Sequence, residues 1–193
     1  MIPTLYEPFR HWSEHGSVYI ISDTHFDDAD CKTMSNHWID PTEHIKRIAS
    51  KAHKCDTLIH LGDVGNPSYF ETAWKNKHKR PHMVLIMGNH DESAERFEHI
   101  FDEIYTGPLF IAEKILLSHE PVYGIDWCLN IHGHDHNESG KTDIHHINLA
   151  SNVVDFQVAN LDDIIKSGIM KKSKGIHRTT IDKAIKKPIH KKK

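Results

Sequence analysis

The chain has 193 residues, 38% of them hydrophobic and 26% charged, with 19 histidines and a formal net charge of −3. Such a length suits one compact domain, and the composition suits a soluble globular protein rather than a disordered or membrane one. No apolar run reaches the roughly 18 residues that span a bilayer, and the N-terminal stretch MIPTLYEPFRHWSEHG lacks a signal-peptide pattern.

Three cysteines, Cys31, Cys55 and Cys128, have no C-x-x-C spacing. That argues against a disulfide framework or a thiolate zinc site and predicts a reducing, cytoplasmic setting. Residues 17–22, SVYIIS, form a short β-branched apolar run and predict a buried strand. Between it and the next such run, 57–61 (TLIHL), lies a helix. Asp40 can cap it, Pro41 suits its first turn, and Ile45, Ile48, Ala49 and Ala52 follow helical spacing. A second helix is expected from Ser68, carrying Phe70, Ala73 and Trp74. A third strand covers 83–87 (MVLIM), and a third helix after Asp91 would bury Phe97, Ile100 and Phe101. Alternating strands and helices predict an α/β fold whose polar site residues gather just after the strand ends.

The second half is strand-like at 109–112, 115–118, 127–132, 146–150 and 153–158, with turns at Glu113-Lys114 and Gly124. From Lys166 onward there are eleven Lys/Arg and one acid, Asp182. The expected organisation is therefore one domain, 1–165, followed by a basic extension, 166–193.

Each strand end carries polar residues. The first gives Ser22-Asp23-Thr24-His25, the second Gly62-Asp63 and the third Gly88-Asn89-His90-Asp91; later ends give Ser118-His119 and Gly133-His134-Asp135-His136. These residue types are ligands for borderline divalent metals. In this order they resemble the calcineurin-like metallophosphoesterases. Asp23-Thr24-His25 is similar to that family's D-x-H, Gly62-Asp63 to its G-D, Gly88–Asp91 to its G-N-H-D/E, His119 to its isolated histidine and Gly133–His136 to its G-H-x-H. The resemblance spans roughly residues 17–160. Residues 152–161, NVVDFQVANL, look like the closing segment of small bacterial and phage members.

The resemblance implies a four-layer α/β/β/α sandwich of two mixed sheets flanked by helices. It implies that Asp23, His25 and His136 hold one divalent ion, that Asn89, His119 and His134 hold the other, and that Asp63 bridges both. Mn²⁺, Fe, Zn²⁺ or Ni²⁺ all suit such mixed ligands. The implied activity is hydrolysis of phosphomonoesters or phosphodiesters by a metal-bridging hydroxide. In that scheme His90 stabilises the developing charge or protonates the leaving oxygen, with Asp91 orienting its ring. The expected partner is a small phosphoester, nucleotides included, and no membrane. Two alternatives stay open: a nuclease using the basic tail, and a catalytically silent metal-binding scaffold.

Other polar residues are expected to be structural. His60 lies inside TLIHL as a hydrogen-bonded core histidine, and His145 and His146 flank a strand. Period two would put His132, His134 and His136 on one strand face, but His132 precedes Gly133 and is expected to be packed or to support a ligand. Asp27, Asp28 and Asp30 are expected to form a solvated acidic loop. The lysine-rich tail predicts a solvated segment before a nucleic-acid-binding arm, having no aromatic residue for base stacking.

Overall fold

Strands β1 (Val18–Ile21), β2 (Thr57–His60) and β3 (His82–Ile86) are nearly continuous apolar runs because both faces of each are covered. The computed structural model describes residues 7–74, 76–112, 114–137 and 143–173. β1, β2, β3 and β4 (Glu103–Tyr105) run parallel, and β9 (Ala159–Asn160) pairs antiparallel with β1, in the order β4-β3-β2-β1-β9. A second sheet orders β5 (Leu109–Ala112), β6 (Ile115–Leu117), β7 (Leu129–His132) and β8 (His146–Asn148), antiparallel at β5–β6 and parallel elsewhere. The chain thus forms two mixed sheets with flanking helices, as expected.

Alternation along the strands sorts side chains into two cores. Val18, Ile20, Ile59, Leu61, Val84 and Ile86 pack with Ile115, Leu117, Leu129 and Ile131 of the second sheet. Ile21, Leu58, Met83 and Leu85 point the other way, onto Ile45, Ile48, Phe70, Trp74, Phe97 and Phe101. Each such side chain contributes about 1.5–3 kcal/mol through burial. After the one-turn helix α1 (Cys31–Met34), helix α2 (Pro41–Ala49) supplies Ile45 and Ile48, and the Asp40 carboxylate caps it by accepting from the Thr42 and Glu43 amides. Helix α3 (Ser68–Ala73) supplies Phe70. No helix among the described residues is long and apolar enough to cross a membrane.

Two expectations change. Residues 153–158 form turns rather than a strand: Val154 and Phe156 donate to Ala150 and Ser151, and Asp155 and Phe156 have φ of 49° and 56°. That bend sets the Phe156 ring against Trp38 and His44, and only β9 pairs. The helix expected after Asp91 is one 3-10 turn, Ala94–Arg96; Phe97, Ile100 and Phe101 are nevertheless buried. Arg80 donates to the Ile100 carbonyl and to Asp102 Oδ1, just before β4 begins. β4 itself was not anticipated, since three residues, EIY, carry no usable period.

Residues 166–173 of the expected basic extension pack against the body. Helix α4 (Leu161–Lys166) is followed by a 3-10 turn, Ile169–Lys172, whose Ile169 and Met170 sit on the inter-sheet core. Residues 174–193 lie outside the described residues, as do Glu113 and 138–142.

Candidate metal centre

The loops after β1 and β2 are bound to each other before any side chain enters the site. The amides of Asp23, His25 and Phe26 donate to the carbonyls of Gly62, Asp63 and Val64 at 2.9, 3.0 and 3.1 Å. His60 knots the same loops from within. Its Nδ1 accepts from the Gly62 amide at 3.1 Å, so its proton resides on Nε2 and points at Thr24 Oγ1, 3.0 Å away. Thr24 in turn donates to the Val64 carbonyl at 2.9 Å. Burial of His60 pulls its pKa down to about 3, which keeps the ring neutral and this proton order intact. The core role expected for His60 is therefore what the structure shows.

This scaffold holds four of the candidate ligands in the left-handed region: Asp23 (φ 56°), His25 (42°), Asp63 (57°) and His134 (66°). Each such residue costs about 1–3 kcal/mol and persists only where its surroundings enforce it, and such strain concentrates at functional sites. Two glycines make the crowding possible. A Cβ on Gly88 would lie 2.2 Å from Asp63 Oδ1, and one on Gly133 would lie 2.0 Å from Ser22 Oγ and 2.1 Å from Asp23 Oδ2.

All seven candidate ligands converge. Ligand atoms of Asp23, His25 and His136 lie within 4.8 Å of one another, and so do those of Asp63, His119 and His134. Asn89 joins the second group, its Oδ1 being 2.8 Å from His119 Nε2 and 3.0 Å from His134 Nδ1. Asp63 Oδ2 stands between the groups, 3.6 Å from His25 Nε2 and 3.3 Å from His119 Nε2. Asp23 Oδ1 lies 3.5 Å from His136 Nε2.

The donor set suits divalent ions. Asp23 Oδ1 and His25 Nε2 are buried and make no hydrogen bond, a costly state that a metal bond would relieve. Two carboxylates, Asp23 and Asp63, are almost fully buried, where unpaired negative charge is expensive. Burial would raise the Asp63 pKa, but the His119 ring bond and charge, with the His90 amide, bring it to about 2. Burial would lower that of His119, but bonding to Asp63 and the charges of Asp23 and Asp63 push it up to about 9. The two shifts describe one coupled pair, in which the buried carboxylates favour positive charge on the ring beside them.

The ring nitrogens that face away from the centre are anchored. His25 Nδ1 donates to Asp28 Oδ2 at 2.9 Å, His119 Nδ1 to the Leu61 carbonyl at 2.8 Å and His136 Nδ1 to Asn152 Oδ1 at 2.9 Å. Such partners select the tautomer and aim the other nitrogen inward. Trp38 packs its ring against His25 and His136, with centroids 6.0 and 5.7 Å away.

Several expectations need correction here. Asp28 is partly exposed but also orients His25, and Asp27 and Asp30 are exposed as expected, Asp27 accepting from Asn66 Nδ2 and Tyr69 OH. Only Asp30 stays exposed without a ring partner. Asp91 does not orient the His90 ring. Its carboxylate is taken up by the amides of Asp63, Val64 and Gly88 at 2.9, 3.0 and 2.8 Å, so it joins the second and third loops. Asn152 lies in the segment that resembles the family's closing run, but asparagine in a turn carries no signal of its own. Leu61 acts through its backbone, which no residue type reveals.

His90 is exposed on the rim, its ring centroid 5.6 Å from that of His25 and its amide held by Asp63 Oδ1 at 2.9 Å. His132 is buried with Nδ1 2.8 Å from the Gly133 carbonyl, packed beside the centre rather than in it. His146 is held by Asp143 and the Val122 carbonyl, the structural role expected of it.

Comparison with known proteins agrees with this architecture. An uncharacterized protein of Methanocaldococcus jannaschii is 28% identical over 178 residues, covering 77% of this chain and 89% of its own. A crystal structure of an Aquifex aeolicus protein of unknown function superposes with a TM-score of 0.65 at 27% identity, covering 78% of this chain and 98% of that one. A Pseudomonas putida nuclease matches at 26% identity with a TM-score of 0.41, over 61% of this chain and 59% of that one. The family model described as calcineurin-like phosphoesterase matches residues 16–167, and the chain belongs to that family.

Proposed function

We propose that the protein hydrolyses phosphoesters using two divalent ions held in the cleft between the strand-end loops. The observation that carries this reading is Asp63, whose one buried oxygen lies within 3.6 Å of a ring nitrogen from each ligand group. Asp23, His25 and His136 would hold one ion and Asn89, His119 and His134 the other, with Asp63 common to both. When bound, such a pair supplies Lewis-acid stabilisation of phosphoryl oxygens and a water acidic enough to ionise near neutral pH.

The chain's own residues do the rest. Asp28, Asn152 and the Leu61 carbonyl keep three imidazoles in the tautomer that presents a lone pair inward. His90, exposed at the rim with its backbone tied to Asp63, can hydrogen-bond a phosphoryl oxygen or give a proton to the leaving alkoxide. Asn89, His90 and His134 are all exposed, so the centre is open to small monoesters, diesters and nucleotides.

The test is a panel of monoester, diester, nucleotide and oligonucleotide substrates across Mn²⁺, Fe²⁺, Zn²⁺ and Ni²⁺. Asp63→Asn should lose both bound metal and activity, and His90→Ala should lose activity while keeping metal. Full turnover by His90→Ala would remove that residue from the mechanism. Metal binding without turnover on any substrate would favour a silent scaffold instead. A nucleic-acid substrate has support only in the basic tail, and a chain ending at residue 173 should then lose salt-dependent binding.

A further inference from the structure

A second convergence of histidine and carboxylate lies at the other end of the first sheet. Glu103 opens β4, His82 opens the neighbouring β3, and His11 comes from the 3-10 helix Glu7–Ser13. One nitrogen of each histidine meets the same Glu103 oxygen: His11 Nε2 and His82 Nε2 are both 2.6 Å from Oε1. The candidate catalytic loops follow the C-terminal ends of these strands. Strand β3 runs from His82 to Ile86, roughly 13 Å at 3.3 Å per residue, before the loop that carries Asn89, so the two centres cannot share an ion.

We propose that His11, His82 and Glu103 form a further divalent-metal site of the zinc class, which clamps the N-terminal segment to the edge of the first sheet. The ligand atoms lie within 4.8 Å of one another, and two imidazoles plus one carboxylate are a three-ligand zinc set that leaves a position for water. Hydrogen bonding alone serves this geometry poorly. Trp12 Nε1 also donates to Oε1, at 2.8 Å, so three N–H groups crowd an oxygen with two lone pairs. An ion replaces two of these donors with bonds to ring lone pairs, and the indole keeps its own.

The remaining contacts fit that role. Tyr105 OH holds the other carboxylate oxygen at 2.5 Å, fixing the plane of Glu103. Asp102 Oδ2 stands 3.6 Å from His82 Nδ1, where it can receive the ring proton once Nε2 is committed to metal. The His11 and His82 rings meet edge to face with centroids 5.5 Å apart. Their side chains are 47% and 34% exposed, which leaves an ion a path from solvent. A neutral ring that binds metal through Nε2 keeps its proton on Nδ1, so loading releases a proton only from a doubly protonated imidazole.

The experiment uses the full chain, stripped of metal and re-equilibrated with Zn²⁺. Zinc per chain is counted by elemental analysis for the wild type, His11→Gln and His82→Gln. In parallel, carbethoxylation of His11 in the wild type is followed by peptide mass spectrometry with and without zinc. Each variant should hold one equivalent fewer, and zinc should slow His11 modification at least about fivefold, as RT ln(1 + [L]/Kd) linkage predicts for a saturated ligand. Phosphoester turnover, if present in the wild type, should be unchanged in His11→Gln. Equal zinc in all three proteins, or His11 modified at the same rate with zinc present, overturns the proposal. The His11 readout is local, so it does not depend on what the cleft binds.

Discussion

Nδ1 of His25 donates to Oδ2 of Asp28 at 2.9 Å, three residues along the same loop. The bond fixes the ring so that its unpartnered Nε2 faces Asp63 and the metal cleft. Carboxylate–imidazole–metal relays of this kind are worth about 10–100-fold in metal affinity. Asp28→Ala should therefore weaken metal binding by about that factor, measured by titration with Mn²⁺ or Zn²⁺, and saturating metal should restore turnover. Unchanged affinity would return Asp28 to the solvated loop.

Asp91 makes a different prediction from the one its motif suggests. Its carboxylate joins three backbone amides from two loops, and hydrogen bonds to a charged group are worth about 1.5–3 kcal/mol each. Asp91→Ala should lower unfolding free energy by about 3 kcal/mol or more in urea denaturation and reduce metal binding as well. A variant that loses only kcat, with its denaturation midpoint intact, would restore the His90-orienting role.

His44 is a stability liability. The ring is buried between Phe26 and Phe156, and neither nitrogen has a hydrogen-bond partner. Burial, then the nearby Arg47 charge, lowers its pKa to about 3. The unfolded chain takes up a proton near pH 6.5 while the folded chain does not. Stability is therefore full above about pH 6.5 and falls as pH drops towards 3. His44→Phe should raise stability at pH 7.5 by about 1 kcal/mol. The gain should grow at pH 5, because the variant loses this proton linkage; His60, with the same direction of shift, leaves a residual slope. Chemical denaturation at the two pH values measures both.

Gly133→Ala probes the packing of the first ligand group. A methyl there would strike Ser22 Oγ and Asp23 Oδ2, the oxygen that accepts from the His134 amide at 2.9 Å. Overpacking of this kind costs about 1–3 kcal/mol, and displacement of Asp23 should also reduce metal occupancy. Elemental analysis and thermal denaturation would check the two effects. An active, fully loaded Gly133→Ala protein would mean that the loop can give way.

The strand-helix alternation and the Asp40 cap were legible in the sequence because each rests on local chemistry, whereas the seven ligand candidates came from the resemblance to the family. A β-branched run, a capping carboxylate beside Pro41 and polar residues after apolar strands all act over a few positions. Short elements were not legible. EIY became β4 through pairing with β3, and VVDFQV failed as a strand because residues 151–156 close turns over Ala150 and Ser151. Three residues such as EIY carry too little periodicity to be seen in advance, and the turns over 151–156 follow from backbone bonds that an apolar run does not announce.

For His25, His90 and Asp91, the sequence by itself determined which residue types stand beside the cleft. Tertiary structure alone decided which acids serve them. Asp28 and Asp91 are both acids in loops near a histidine, yet one carboxylate faces a ring and the other faces backbone amides. A carboxylate goes to whichever donors the folded chain leaves unpaired, and those donors come from β-strand ends far apart in sequence. Nothing local to Asp91 announces the amides of Asp63 and Val64, just as nothing local to Glu103 announces His11, 92 residues earlier.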